Sequence, residues 1–243
     1  MTTWIVRAAY LVALFAGSLV SACADDLADF NQAIESVSMH NRTAIGYLRT
    51  ENIDLASIEI ERLRDSWARF TEQFAGHRPH EFDGSEFYSN LFTGVSARLV
   101  GADLMLKTGR PDAARSALIA IRKDFYDLRK ASGVPVLADC IRDANAAMDE
   151  LQVFDNRTLD WTNAATGTDV AAKASGYASV LSRCDTMATS KVRASPEFRR
   201  LVDGARASLD LIPKAIATRD TDLLHRVLIE LRSFDNLLDF RFG

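Results

Sequence analysis

The amino-acid sequence predicts an all-α protein made of two tandem up-down-up-down four-helix bundles. Apolar residues recur at steps of three and four along most of the chain, which is the period of an amphipathic helix. No convincing run alternates apolar and polar residues, and 12 Gly and 5 Pro are few for a β-sandwich or barrel. The 243 residues suffice for one large or two small domains.

Four apolar stripes in the first half predict the first bundle over residues 25–132. Pro111 suits the first turn of the fourth helix, where an N–H has no helical partner. In KASGVP, Gly133 marks a helix end and Pro135 a new start. The four predicted stripes run from Phe30 to Leu48, Leu55 to Phe74, Phe87 to Leu106 and Leu118 to Leu128.

Four further stripes predict a second bundle over residues 135–243. Ser195 and Pro196 are typical of a helix start, and Pro213 is expected to kink the end of the seventh helix. The repeated NRT (41–43 and 156–158), and ALIAIR (117–122) beside VLIELR (227–232), suggest an internal duplication, although amphipathic helices also share composition. The stripes run from Leu137 to Leu151, Val170 to Cys184, Phe198 to Ile212 and Leu224 to Leu238.

A second architecture is compatible with the same pattern. GRPDAARSAL resembles part of a tetratricopeptide repeat, so a stack of helical hairpins is the alternative to two bundles. A period near 34 residues does not recur along the chain, and the helices are long for such a stack. The tandem bundles are therefore favoured.

The N-terminus predicts export. Residues 8–20 are apolar and uncharged, which matches a signal-peptide core and is too short for a membrane span of about 20 residues. We assign residues 1–23 as the signal. Val20 to Cys23 resembles a lipobox, with Cys23 lipidated, whereas Ala22-x-Ala24 fits cleavage before Asp25, and an uncleaved anchor is the third alternative. All three put the body outside the cytoplasm, either periplasmic or anchored by lipid.

The two remaining cysteines are predicted to pair. In an oxidising compartment Cys140 and Cys184 form an even set. NAATGTD (163–169) is expected to be the loop between the fifth and sixth helices, with the chain folding back near residue 162. Both cysteines then lie 22 residues from that point, at one height of an antiparallel pair. A Cys140–Cys184 disulfide follows, with two buried free thiols as the alternative.

Charge and motifs exclude several functions. With 29 basic and 33 acidic residues, a net charge of −4 and no long run of one sign, the chain lacks the basic footprint of a nucleic-acid-binding protein. It has no Gly-rich phosphate loop, no GxSxG and no His-Glu-x-x-His. We therefore predict no catalytic residue and no enzyme.

Each half resembles the cytochrome c′ and soluble b-type cytochrome group in helix number and length. The Cys-x-x-Cys-His haem-attachment motif is missing from both last helices, DAARSALIAIRKDFYDLR and DLLHRVLIELRSFDNLLDF. The b-type proteins use a Met and a His. We place Met148 early in the fifth helix and His225 early in the eighth, which would put them near opposite ends of the bundle. The resemblance thus implies a bundle without haem, and no cofactor is expected.

GHRPHEFD is the main candidate metal site, since Met39 and His40 on the first helix are expected to be a packing residue and a polar position. His77 and His80 lie three residues apart, beside Glu81 and Asp83, and should meet the acidic residues 25–29 at one end of the first bundle. Imidazoles with carboxylate help could hold Cu or Zn. The alternative is a polar turn with solvated histidines.

The expected function is a non-catalytic interaction or scaffold module of the cell envelope, with an unknown envelope protein as partner and a possible lipid anchor at Cys23. The alternative is a periplasmic protein that binds a small ligand or a metal ion, in a bundle interior or at His77 and His80. Aromatic residues such as Trp67, Phe70 and Phe125 could line a ligand pocket, but at helical spacing they are expected to form the core.

Overall fold

The computed structural model describes the backbone of residues 3–155 and 159–243, and the side chains of residues 26–155 and 159–243. The described chain is helical and contains no strand, so the all-α prediction is confirmed. It divides into two compact units, unit 1 (Met1–Val134) and unit 2 (Pro135–Gly243). The side chains of the predicted signal, including Cys23, and the second NRT (156–158) lie outside the described residues.

Unit 1 contains four long helices in a ring of neighbours. α1 packs against α2 and α4, and α3 packs against the same two helices. Short connections join them, so this order of neighbours is the one that an up-down-up-down bundle has. The helices are α1 (Thr3–Arg49), α2 (Ile53–Phe74), α3 (Glu86–Lys107) and α4 (Pro111–Ala131), with a 3₁₀ turn at His80–Phe82.

Unit 2 repeats this ring with two short additions. Four long helices pack as neighbours in the order α5, α6, α8, α10 and back to α5, while α9 packs on α6 and α10. The helices are α5 (Leu137–Gln152), α6 (Ala164–Met187), α7 (Ser190–Arg193), α8 (Pro196–Leu209), α9 (Ile212–Thr218) and α10 (Thr221–Phe242). Among the described residues, no helix combines the length and the apolar character that crossing a membrane requires.

Local signals explain several of the helix boundaries. Pro111 and Pro196 begin α4 and α8, and the Ser195 hydroxyl caps α8 by accepting from the Phe198 N–H at 3.3 Å. Gly109 and Gly133 follow α3 and α4 with φ of +70° and +71°, a conformation that glycine adopts at little cost. The expected helix ends are therefore found at these positions.

The structure corrects three boundaries in the second half. The seventh stripe is broken rather than kinked, because α8 ends at Leu209 and Pro213 lies in the first turn of a separate helix, α9. NAATGTD is the start of α6 and not a loop, since the Asn163 side chain accepts from the Ala165 N–H at 2.9 Å and caps this helix. α5 begins at Leu137, two residues after Pro135.

The two units have separate cores of different character. The core of unit 2 is mostly aliphatic around Phe198 and Tyr177. In unit 1, aromatic rings pack edge to face, tilted or stacked at centroid distances from 4.8 to 6.4 Å. This confirms that Trp67, Phe70 and Phe125 belong to the core. The packed rings are those of Phe30, Trp67, Phe70, Phe74, Phe82, Tyr88, Phe92 and Phe125.

Candidate functional site

The segment between α2 and α3, which carries both predicted metal ligands, is held down by buried aromatic side chains. Phe82 is buried in the core, and the Tyr88 hydroxyl lies 2.6 Å from the Phe74 carbonyl and 3.2 Å from the His77 carbonyl. Burial raises the pKa of Tyr88 to about 12, although the Arg78 charge over its ring opposes this. Tyr88 therefore stays a hydrogen-bond donor that ties this loop to the end of α2.

His77 and His80 each face a carboxylate of their own. His77 Nε2 lies 3.3 Å from Asp26 on α1, and His80 Nδ1 lies 3.1 Å from Glu81. Both imidazoles are more than half exposed, at 61% and 59%. No group of three or more potential ligands assembles here or elsewhere in the described part of the chain. Metal binding by His77 and His80 stays a prediction.

Cys140 and Cys184 lie at disulfide distance, as the sequence predicts. Their sulfurs are 2.18 Å apart, their Cα atoms are 5.4 Å apart, and the bond joins α5 to α6. The predicted fold-back near residue 162 is less accurate, because the connection spans residues 153–163 and α6 is eight residues longer than α5 (24 against 16). Both cysteines are buried in the core of unit 2.

The predicted placement of Met148 was wrong, whereas His225 does lie early in its helix, α10. Because α5 runs only from Leu137 to Gln152, Met148 lies near its C-terminal end rather than early in it. His225 Nδ1 bonds to Asp155, just after α5, so both residues lie towards the same end of unit 2. Met148 is buried in the core, whereas about half of the His225 side chain is exposed.

A groove of about 530 Å³ lies in unit 2 between α6 and α9, and we call it the α6–α9 groove. Its volume falls in the range of small-molecule sites, about 300–1,000 Å³. The break after Leu209 turns α9 onto α6, where Gly167 allows close approach: an added Cβ would lie 3.0 Å from Ile216 Cγ2. Eight of the ten residues that line the groove are apolar. The lining is Ala171, Ala174, Ser175, Ala178, Leu209, Asp210, Ile212, Pro213, Ile216 and Ala217.

A buried polar pair lies in the core of unit 2. Asp235 on α10 is 1% exposed and Tyr177 on α6 is fully buried. Asn145 on α5 donates to Asp235 Oδ2 at 2.6 Å, and Arg232 Nη1 is 3.4 Å from the same oxygen. Within the described residues, no hydrogen bond of ordinary geometry reaches Asp235 Oδ1 or Tyr177 Oη, although the two side chains lie close enough for Asp235 to raise the pKa of Tyr177. Such unpaired buried groups are costly, so they need an explanation.

Burial sets the acidity of both members of this pair. It raises the pKa of Asp235 to about 7, although the Arg232 charge and the Asn145 hydrogen bond act in the opposite direction. Burial also raises the pKa of Tyr177, and the nearby charge of Asp235 raises it further. The two groups are therefore electrostatically coupled.

Sequence reasoning placed Tyr177 in the sixth stripe but missed Asp235. The signal was present, because Asp235 follows Leu231 by four residues and precedes Leu238 by three, in the middle of an apolar stripe. In the alignment of ALIAIR with VLIELR, Phe125 takes the corresponding place in α4, and Phe125 is buried. An acid at a core position of a helix is thus visible without a structure.

The outer face of α3 carries a stripe without charge, which we call the α3 stripe: Ser89, Thr93, Ala97, Val100 and Leu104. All five are exposed, and they lie opposite the buried residues of this helix. Val100 is 63% exposed and Leu104 is 55% exposed. A surface helix usually presents charged and polar residues there. The α3 stripe is therefore a candidate contact surface.

No protein-family model, no curated protein and no solved structure matches the chain.

Proposed function

We propose that the protein is a non-catalytic helical module of the cell envelope that binds a partner protein through the α3 stripe. The observation that carries the proposal is the exposure of Val100 and Leu104 on the α3 stripe, whose five residues are all uncharged. Exposed apolar patches of this kind mark protein interaction sites when they are contiguous. The aromatic side chains of unit 1 pack against one another as its core, which supports a surface role for this unit.

Two observations support a location outside the cytoplasm. The cysteine pair at disulfide distance fits an oxidising compartment, where such bonds persist. The lipobox-like sequence ending at Cys23 fits a diacyl anchor, which holds a protein on a membrane without a spanning helix. An anchor would keep the α3 stripe near other envelope proteins.

Site-specific photo-crosslinking in cells tests the interaction. A photoreactive residue at position 100 of the full-length protein should crosslink one defined partner. The same residue at position 112, on the exposed start of α4, is the matched control and should not. Val100→Asp should abolish co-purification of that partner, because a charge must be desolvated in the contact. Equal crosslinking from both positions, or a partner that Val100→Asp retains, would contradict the proposal.

Fractionation tests the anchor separately. The wild-type protein should sediment with membranes, and Cys23→Ser should release it or block its maturation. A wholly soluble wild type whose first residue is Asp25 by mass spectrometry would show that the signal is cleaved without lipidation.

Binding of a small apolar ligand is the second candidate function, and the α6–α9 groove favours it. Native mass spectrometry of protein purified from its own envelope should reveal a bound molecule. Ala178→Trp should fill the groove and remove that molecule, whereas Ser179→Trp, on an exposed neighbour outside the groove lining, should retain it. A ligand kept by Ala178→Trp, or none in the wild type, would exclude this candidate.

A further inference from the structure

The buried polar pair occupies a position where the fold needs an apolar side chain. Asp235 lies between Leu231 and Leu238, both buried, and the matching position of α4 holds Phe125. A carboxylate transferred to such a place without full compensation destabilises the folded state. The protonated acid is much less costly, since it carries no net charge. The protonation state of Asp235 should therefore affect how firmly α10 is held.

The charges around Asp235 compensate its negative charge only in part. Arg232 is the cation that opposes the rise of its pKa, yet the shorter bond of Arg232, at 2.7 Å, goes to the exposed Asp149 on α5. Asp149 and Asp239 both disfavour a further negative charge. α6 contributes the uncharged Tyr177, and α8 meets this stretch of α10 through Gly204, against Phe234, and Ser208, against Glu230. On α8, Arg199 and Arg206 pair with Asp185 and Asp203. Glu197 of α8 pairs with Arg241, a cation of α10 itself.

We propose that Asp235 and Tyr177 make unit 2 pH-sensitive: protonated Asp235 is a neutral member of the core, and its ionisation leaves an anion between α5, α6 and α10 that loosens their packing. A proton on Oδ1 of Asp235 would supply a hydrogen-bond donor between this oxygen and the hydroxyl of Tyr177, the two atoms that lack a hydrogen bond. Unit 1 has Phe125 at the matching position, so it should not share this response.

The direction of the effect follows from the two states of Asp235. Its pKa is about 7 in the folded protein, against an ordinary value of 3.8. Between these values the folded state binds more protons than the unfolded state, so stability falls as pH rises. This stabilisation is complete below about pH 4 and falls as the pH rises from about 4 to about 7. Above about pH 7 it is lost, and the stability no longer changes with the ionisation of Asp235.

Hydrogen exchange of the full protein tests the proposal, with unit 1 as an internal control. From about pH 5.5 to about pH 8, after correction for intrinsic exchange, protection of α10 should fall roughly thirtyfold, while that of α4 should not change with it. Asp235→Asn should remove this difference. Asp169→Asn, which removes an exposed carboxylate of α6, should keep it.

A carboxyl titration by ¹³C NMR tests the same proposal without a variant that has to fold. The wild-type Asp235 should titrate near pH 7, and Asn145→Ala should raise its pKa, because the ionised form loses a donor. An Asp235 that titrates near 4 would overturn the proposal. So would α10 and α4 protection that changes equally with pH, or an Asp235→Asn protein that keeps the thirtyfold change.

Discussion

At the scale of single residues, Gly204 leaves less room for a side chain than Gly167 or Gly176, two other glycines within helices of unit 2. The Phe234 ring of α10 lies against the backbone of α8 here, and a Cβ added at Gly204 would be 2.5 Å from Phe234 Cζ and 2.8 Å from Cε1. No real side chain tolerates such distances, so the ring would have to move within a packed core. Gly204 is therefore a packing requirement rather than a flexible point in the helix.

We expect Gly204→Ala to destabilise unit 2 by about 1–3 kcal/mol, because overpacking outweighs the gain of about 1 kcal/mol in helix propensity. Gly176→Ala on α6 is the matched control. Its added Cβ meets nothing within 4 Å, so it should stabilise the protein by up to about 1 kcal/mol. Urea unfolding midpoints measure both variants, and an equal effect at the two glycines would contradict this account.

At the scale of helices, the cysteine bond joins α5 to α6 across a sequence separation of 44 residues. The chain-entropy model gives such a link up to about 4 kcal/mol. We expect a reducing agent to lower the urea midpoint of unit 2 in the wild type. The Cys140→Ala/Cys184→Ala variant should start from a lower midpoint and be insensitive to reduction. If the reducing agent leaves the urea midpoint of the wild type unchanged, the two thiols are free in the isolated protein.

Periodicity predicts the long helices because each one repeats its apolar signal over several turns. Periodicity does not predict the short helices, and the reason is physical. α7 has four residues, too few for a stripe, and Ile212 follows Leu209 by three residues, so it keeps the helical phase across the break before α9. The α6–α9 groove depends on that break, and the sequence alone could not predict it.

At the scale of the whole molecule, each unit buries its own core, and the two cores share no residue. We expect residues 135–243 to fold as a separate domain, because this fragment contains the whole core of unit 2. Circular dichroism should show a helical fragment that unfolds cooperatively. Strong binding of a hydrophobic dye, together with gradual unfolding, would indicate that unit 2 needs the rest of the chain.

The fold was more predictable than the candidate sites. An amphipathic pattern sums over many residues, so errors at single positions cancel. A site depends on two or three side chains from different helices. The motif around His77 and His80 was visible in the sequence, but the approach of Tyr177 and Asn145 to Asp235 requires the packing of three helices.

The disulfide between α5 and α6 also determines the products that proteolysis of unit 2 yields. A single cut in the connection at residues 153–163 leaves Cys140 on one piece and Cys184 on the other. While the sulfurs are bonded, the nicked protein keeps its full mass on a gel without reductant and separates into two bands only when thiol is added. The bond thus makes this connection a place where the backbone can be severed and the domain still hold together.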